Sequence, residues 1–314
     1  MKFVLFYAKS ELAYLRQNFT MSSVTAVSLW VEMRPRQWVK NLFVLTPLLF
    51  SHNLFAPATV GPALVSFVLF CLVSSSVYLL NDIQDRSQDR LHPTKRLRPL
   101  AAGELNLGVA FGAMVTFLLV TLAAGVLLDK TLALVLLSYW LINLLYSTWL
   151  KNQVILDVFA LASGFVLRVV GGGVAISVEI SHWLILCTML LALFLGFSKR
   201  RHELVRLGQG AGAHRQVLEE YNPLFLDMMI SIVTPSTVMS YALYTVSEET
   251  IRRFHTRGLL LTLPFVLYGI FRYLYLVYHE NQGEDPTQSL LTDRPMIINL
   301  CLWALTVGVI VYWR

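Results

Sequence analysis

Between Tyr78 and Gly103 the chain reads YLLNDIQDRSQDRLHPTKRLRPLAAG, with Asp82, Asp85 and Asp89 set among Arg86, Arg90, Lys95, Arg96 and Arg98. If the apolar run before it continues as a helix past Leu80, then Asn81, Asp85 and Asp89 fall at i, i+4 and i+8. They then share a face, with Asp82 beside them. Clustered carboxylates repel one another unless something positive stands between them. Hard oxygen ligands at this spacing suit Mg²⁺, with Mn²⁺ as the second candidate; Mg²⁺ binds through one or two carboxylates plus substrate phosphates. The cations that follow would hold outer phosphate oxygens. The stretch reads as a cradle for a metal-bound diphosphate. The competing reading is a solvated loop whose charges pair among themselves.

Three further groups carry chemistry or its semblance. In FSKRRHEL, Phe197 to Leu204, the cations Lys199, Arg200 and Arg201 precede Glu203. A positive membrane anchor accounts for the cations and leaves Glu203 unexplained. Asp157 and Arg168 lie eleven residues apart, three helical turns, so they share a face inside an apolar run. An arginine at such a depth faces a cavity or a partner, either a ligand or Asp157 as a structural ion pair. Gly164 lies near that stripe and permits close helix approach. Lys151 stands at its entrance, and Gly171–Gly173 are expected to allow close packing rather than to bind phosphate, since no strand precedes them. Finally Glu284, Asp285 and Asp293 return acid to the same side, as a site or as a plain polar turn. Cys71, Cys187 and Cys301 are scattered singly, which reads as core packing.

The elements that must position these groups follow from composition. The chain has 314 residues, 56% hydrophobic and 14% charged, with a mean hydropathy of +0.61. Soluble domains carry about 25% charge, so the fold class is all-α and polytopic. Apolar runs long enough to cross about 30 Å of hydrocarbon predict about nine spans. They are Val39–Phe55, Pro62–Leu80, Leu107–Leu128, Thr131–Leu150, Val154–Ile176, Trp183–Phe197, Leu224–Val246, Leu259–Tyr278 and Met296–Trp313. The first and sixth are short or interrupted. Phe3–Ala8 is too short for a signal core, and Met21 is an alternative start to Met1. With the amino terminus inside, most of the 25 Lys and Arg fall on the cytoplasmic side, as the positive-inside rule requires. The connections at 81–106, 199–223 and 279–295 share that side and mix acids with bases. Topology alone needs only cations, so the acids point to a site. A multi-pass protein of the inner or plasma membrane is expected, with membrane lipids as neighbours, a homo-oligomer as one arrangement and no nucleic-acid partner.

The order of these pieces resembles the UbiA superfamily of intramembrane prenyltransferases over nearly all of residues 34–313. Asn81-Asp82-x-x-Asp85-x-x-x-Asp89 matches its first aspartate-rich motif, Arg98-Pro99-Leu100-x-x-Gly103 the tail that follows, and Tyr146-Ser147-x-x-x-Lys151 a further shared stretch. The resemblance implies a bundle of about nine helices with its active site at the cytoplasmic face. It implies an amino-terminal cytoplasmic or interfacial segment over 1–37 and a transferase domain over 38–314. Where typical members carry a second aspartate-rich motif, this chain has Lys199-Arg200-x-x-Glu203. That departure is similar to the decaprenyl-phosphate 5-phosphoribosyltransferase branch, as are RPRQWVKN at Arg34–Asn41, HPTKRLRPLAAG at His92–Gly103 and GFVLRVVGGG at Gly164–Gly173.

What the branch implies is transfer of 5-phosphoribose from phosphoribosyl pyrophosphate (PRPP) to a polyprenyl phosphate. Asn81, Asp82, Asp85 and Asp89 would hold the metal, and Asp82, Asp85 and Lys151 would be catalytic. Arg86, Lys95, Arg96, Arg98, Tyr146, Lys151, Arg168, Lys199, Arg200 and Glu203 would bind substrate. Arg34, Gln37, Lys40 and Asn41 are the candidates for the lipid phosphate. Two phosphorylated substrates bring more negative charge than a prenyl diphosphate with a neutral acceptor, and one metal cradle with extra cations is the better match. The alternatives are prenyl transfer from a prenyl diphosphate to an aromatic acceptor and, from another class, secondary transport. A transporter would place its ionisable groups near the midplane of repeated halves, whereas here the acids gather on one side and no repeat is visible.

Overall fold

In a bilayer every backbone polar group must be satisfied within the segment, so long apolar runs become helices. The computed structural model describes residues 21–51, 54, 56–92, 94–207, 217–279 and 292–312, and no strand occurs among them. Among the described residues, eight helices are long and apolar enough to cross a membrane. They are α1 (Pro57–Gln84), α2 (Leu107–Leu128), α3 (Lys130–Thr148), α4 (Leu156–Ala175), α5 (His182–Leu207), α6 (Pro223–Val246), α7 (Leu263–Tyr278, entered through a 3₁₀ turn Gly258–Thr262) and α8 (Arg294–Tyr312). Several starts are written in the sequence. The side chains of Asn106, Asp129 and Asn222 accept backbone N–H groups in the first turns of α2, α3 and α6, as N-caps do.

The first expected span, Val39–Phe55, does not form a crossing helix among the described residues. Residues Pro35–Leu45 wind as a 3₁₀ segment, followed by a single α turn at Thr46–Leu49. Prolines at the first turn of each piece, Pro35 and Pro47, interrupt a regular helix. The segment is wedged between α1 and α4. Its seat is made by the glycines of α4: a Cβ on Gly172 would collide with the Val44 carbonyl, and one on Gly171 with the Phe70 ring. The triple glycine therefore serves close packing, as expected.

Consecutive helices pack side by side, and α4 lies in both halves of the bundle. One large buried cluster gathers Val44, Phe70, Val77, Leu136 and Tyr139; another gathers Val158, Phe194, Phe197, Leu226 and Tyr273. Large apolar side chains such as Leu119, Leu134, Ile232, Leu261 and Leu305 are exposed on the outside, which suits lipid contact.

Two helix ends matter for the site. α1 continues past Leu80 to Gln84; Asp85 interrupts it, and a short helix resumes over Arg86–Leu91. α5 does not stop at Phe197, where the sixth span was expected to end, but runs on to Leu207. Lys199–Glu203 thus sit on a continuing helix rather than in a loop.

Candidate active site

The acids at the end of α1 each meet a cation. Asp82 is buried, 2% exposed, and Arg34 Nη2 donates to its two oxygens at 2.5 and 2.6 Å. Arg34 adopts the left-handed conformation, φ 54°, where the amino-terminal helix Met21–Glu32 gives way to the 3₁₀ segment. Arg98 Nη1 bridges Asp82 Oδ1 at 2.8 Å and Asp89 Oδ2 at 2.6 Å. Lys95 Nζ lies 3.8 Å from Asp89, and Lys151 Nζ donates to Asp85 Oδ1 at 3.3 Å. The expected stripe of Asn81, Asp85 and Asp89 therefore divides. Asn81 accepts a short hydrogen bond from Ser147 on α3, Asp85 turns to Lys151, and Asp82 with Asp89, two turns apart, converge on Arg98. Arg86 and Arg90 instead reach the carbonyls of Leu100 and Ala101, and Arg96 is exposed.

Glu32 joins this group without having been singled out from the sequence. It is 2% exposed, accepts the Leu100 N–H at 2.7 Å and hydrogen-bonds Asp82. Burial, then the hydrogen bond and charge of Asp82, push its carboxyl up to about 8. Among the described residues no three His, Cys, Asp or Glu side chains approach closely enough to cage a metal alone. Asp82, Asp85 and the Asn81 amide supply hard oxygen donors. That set fits a Mg²⁺ or Mn²⁺ ion held jointly by one or two carboxylates and phosphate oxygens.

The second group is built on the end of α5. Arg200 is 1% exposed, and its Nε donates to Asp157 at 2.6 Å, its Nη1 to Glu203 at 2.7 Å and its Nη2 to the Tyr146 hydroxyl at 3.2 Å. The guanidinium is thus committed to the protein. Lys199, one-third exposed and 3.7 Å from Glu203, is the outward cation of the motif, within electrostatic reach of Lys40 and Tyr146. Asp157 also accepts from Tyr221 at 2.8 Å, and the Tyr221 oxygen accepts the Ile155 N–H at 2.7 Å. Burial and Asp157 raise the Tyr221 phenol above its ordinary range. Ile155 has φ 69°, an outlier for a β-branched residue. Next to this group, Arg201 pairs with Asp227 at 2.8 Å and stacks on Tyr278 at 4.0 Å.

Arg168 and Asp157 share a helix but not a bond. Arg168 Nε donates to Asn41 at 2.7 Å, Nη1 to the Gly164 carbonyl at 2.9 Å and Nη2 to the Tyr139 hydroxyl at 2.8 Å. Its guanidinium stacks on the Tyr139 and Phe165 rings at 4.7 and 5.3 Å. Asn41 is fully buried and also donates to Cys71 and Ser74. Arg168 and Asn41 thus form a joint between α4, α3 and the 3₁₀ segment, whereas Gln37 and Lys40 are only half-buried. Asp293 accepts from Arg272 at 2.7 Å and from the Met296 N–H at 2.9 Å. Arg272 holds its carboxyl below the usual carboxylate range. Glu284 and Asp285 lie outside the described residues, and the three cysteines form no disulfide.

Glu32, Asp227 and Tyr221 were missed because their partners are distant in the chain. The available signal was a lone acid in an apolar run, at Glu32 in VSLWVEM and at Asp227 in LFLDMMI.

Comparison with known proteins places this geometry. The UbiA prenyltransferase family model matches residues 43–299. The decaprenyl-phosphate phosphoribosyltransferase of Mycolicibacterium smegmatis is 33% identical over 301 residues, covering 90% of this chain and 91% of that protein. The protein of the same name from Corynebacterium glutamicum is 32% identical over 286 residues, covering 89% and 85%. Among solved structures, a UbiA homolog from Archaeoglobus fulgidus bound to GPP and Mg²⁺ superposes with a TM-score of 0.70 at 19% identity, covering 90% of this chain and 99% of that one.

Proposed function

This chain belongs to the UbiA prenyltransferase family, and from that membership we propose that it moves 5-phosphoribose from PRPP to a polyprenyl phosphate of the decaprenyl type. Pyrophosphate is released. The relatives' shared name supports the acceptor and the transferred group. The observation that carries the reading is electrostatic. Arg34, Lys95, Arg98 and Lys151 stand on Asp82, Asp85 and Asp89, with Lys199 and Lys40 beyond them. Cations in excess of acids suit two polyanionic substrates better than one diphosphate and a neutral acceptor.

In this reading Asn81, Asp82 and Asp85 hold Mg²⁺, with Asp89 in support. When bound, the ion neutralises charge developing on the departing pyrophosphate. Arg98 and Lys95 take outer oxygens of that group, exchanging their carboxylate partners for phosphate. Lys151, on the entrance to α4, binds the donor beside Asp85. Lys199, Lys40, Gln37 and Arg34 orient the lipid phosphate. One of its oxygens forms the bond to ribose C1 as the bond from C1 to the pyrophosphate oxygen breaks, and the electron pair leaves with pyrophosphate. No protein base is needed, because a phosphate monoester with a second pKa of about 6 is already largely ionised near pH 7. Catalysis rests on alignment and leaving-group neutralisation. Arg200, locked to Asp157 and Glu203, orients the α5 end that presents Lys199. The amino terminus and the site face the cytoplasm across the inner or plasma membrane, and the transferase unit begins near residue 38 with Glu32 and Arg34 contributed from before it.

Purified protein is given radiolabelled PRPP with a short polyprenyl phosphate and, in parallel, a labelled prenyl diphosphate with 4-hydroxybenzoate. Label should enter the lipid product in the first reaction only. Labelled 4-hydroxybenzoate from the second alone would overturn the proposal in favour of prenyl transfer.

A further inference from the structure

We infer that Glu32 is a positioning residue: one buried carboxyl ties the Arg98 turn to Asp82 and so sets the spacing of the groups that receive the donor's diphosphate. The inference rests on the assignment of Asp82 and Arg98 to the substrate site. Three observations carry it. First, Leu100 is the second residue of the four-residue helix Pro99–Ala102, whose preceding residue, Arg98, offers no side-chain cap. A first-turn N–H has no carbonyl four residues back, and Glu32 Oε1 takes the Leu100 N–H from another part of the chain at 2.7 Å. Second, the same carboxyl hydrogen-bonds Asp82, which accepts Arg98 at 2.8 Å. Glu32 thus grips both ends of the Asp82–Arg98 bridge, one through a side chain and one through backbone two residues beyond Arg98. Third, Glu32 is 2% exposed and ends the helix Met21–Glu32, just before Arg34, which holds Asp82 from the other side. A carboxyl buried this deeply is costly unless its bonds are made, and both bonds here run to the substrate site.

The test uses the full chain in nanodiscs and compares Glu32→Gln, which keeps an acceptor and gains a donor, with Glu32→Met, which keeps the length and loses both bonds. Two readouts are taken: hydrogen exchange at the Leu100 amide, resolved by fragmentation, and donor kinetics. In Glu32→Met the Leu100 amide should exchange at least about tenfold faster. The KM for PRPP should rise about tenfold with kcat within about twofold. Glu32→Gln should restore most of both. Unchanged exchange overturns the inference, and so does faster exchange with an unmoved KM, which would leave a merely structural contact. If the Met variant fails to insert, Glu32→Ser, too short to reach Leu100, is read the same way. Asp82→Ala is run alongside: full turnover there would sink the assignment of the site, while the Leu100 exchange would still report on the Glu32 contact.

Discussion

At the scale of single residues, the burial of Glu32 beside Asp82 makes the protein sensitive to pH in a direction opposite to the usual carboxylate. An unfolded glutamate ionises near 4.5, whereas folded Glu32 keeps its proton to about 8. The folded state therefore binds the extra proton across that window. The stability this contributes is complete below about 4.5 and is lost as pH rises through about 8. In chelator-treated protein, Tm in detergent should fall across the window, and Glu32→Gln should flatten that slope; a flat profile in the wild-type protein would contradict the assignment. Asp82, Asp85 and Asp89 were legible from sequence because charge is rare in so apolar a chain. Glu32 was not. Its bonded backbone partner, Leu100, lies 68 positions away, and no local spacing connects the two.

Among the elements, α4 and α5 are joined by apolar packing and by one buried ion pair. Asp157 and Arg200 are 0% and 1% exposed as side chains, while the Arg252–Glu248 pair is 78% and 91% exposed. Removing one partner of a buried pair costs about 3–5 kcal/mol, because the other charge is left uncompensated. An exposed pair contributes about 0–1 kcal/mol. Asp157→Asn should therefore lower Tm by several degrees and Glu248→Gln hardly at all, as followed by thermal unfolding in one detergent; equal shifts would show that Glu203, already 2.7 Å from Arg200, compensates its charge alone. Sequence periodicity expects Asp157 and Arg168 to share a helix face, and both lie on α4. It could not foretell that each would choose a partner from another helix, since that choice depends on packing between helices. The same limit explains the 3₁₀ segment: hydropathy reads Val39–Phe55 as a span, but Pro35 and Pro47 and the glycine seat on α4 decide its shape.

For the whole molecule, hydropathy and the placement of charge made the architecture legible, because a membrane leaves few ways to satisfy a backbone. The groups of the candidate site come from the amino-terminal helix, the end of α1, the connection to α2, the end of α3 and the end of α5. Only the bundle as a unit brings them together. If the oxygen donors of Asn81, Asp82 and Asp85 share a divalent ion with the donor, then EDTA should abolish transfer and Mg²⁺ should restore it, with Mn²⁺ as a substitute, as measured by label entering lipid. Undiminished transfer in chelator would argue for neutralisation by the cations alone.

The bend at Ile155 has a mechanical consequence. A branched residue at φ 69° stores about 1–3 kcal/mol of backbone strain, and the catch that holds it is the Tyr221 hydroxyl, delivered by the connection between α5 and α6. That hydroxyl also completes the coordination of Asp157. The two connections are therefore geared: neither can shift without leaving Ile155 unsupported and Asp157 short of a donor. Lys151, which grips Asp85, sits four residues before Ile155, so the backbone that carries it is the one the Tyr221 hydroxyl steadies.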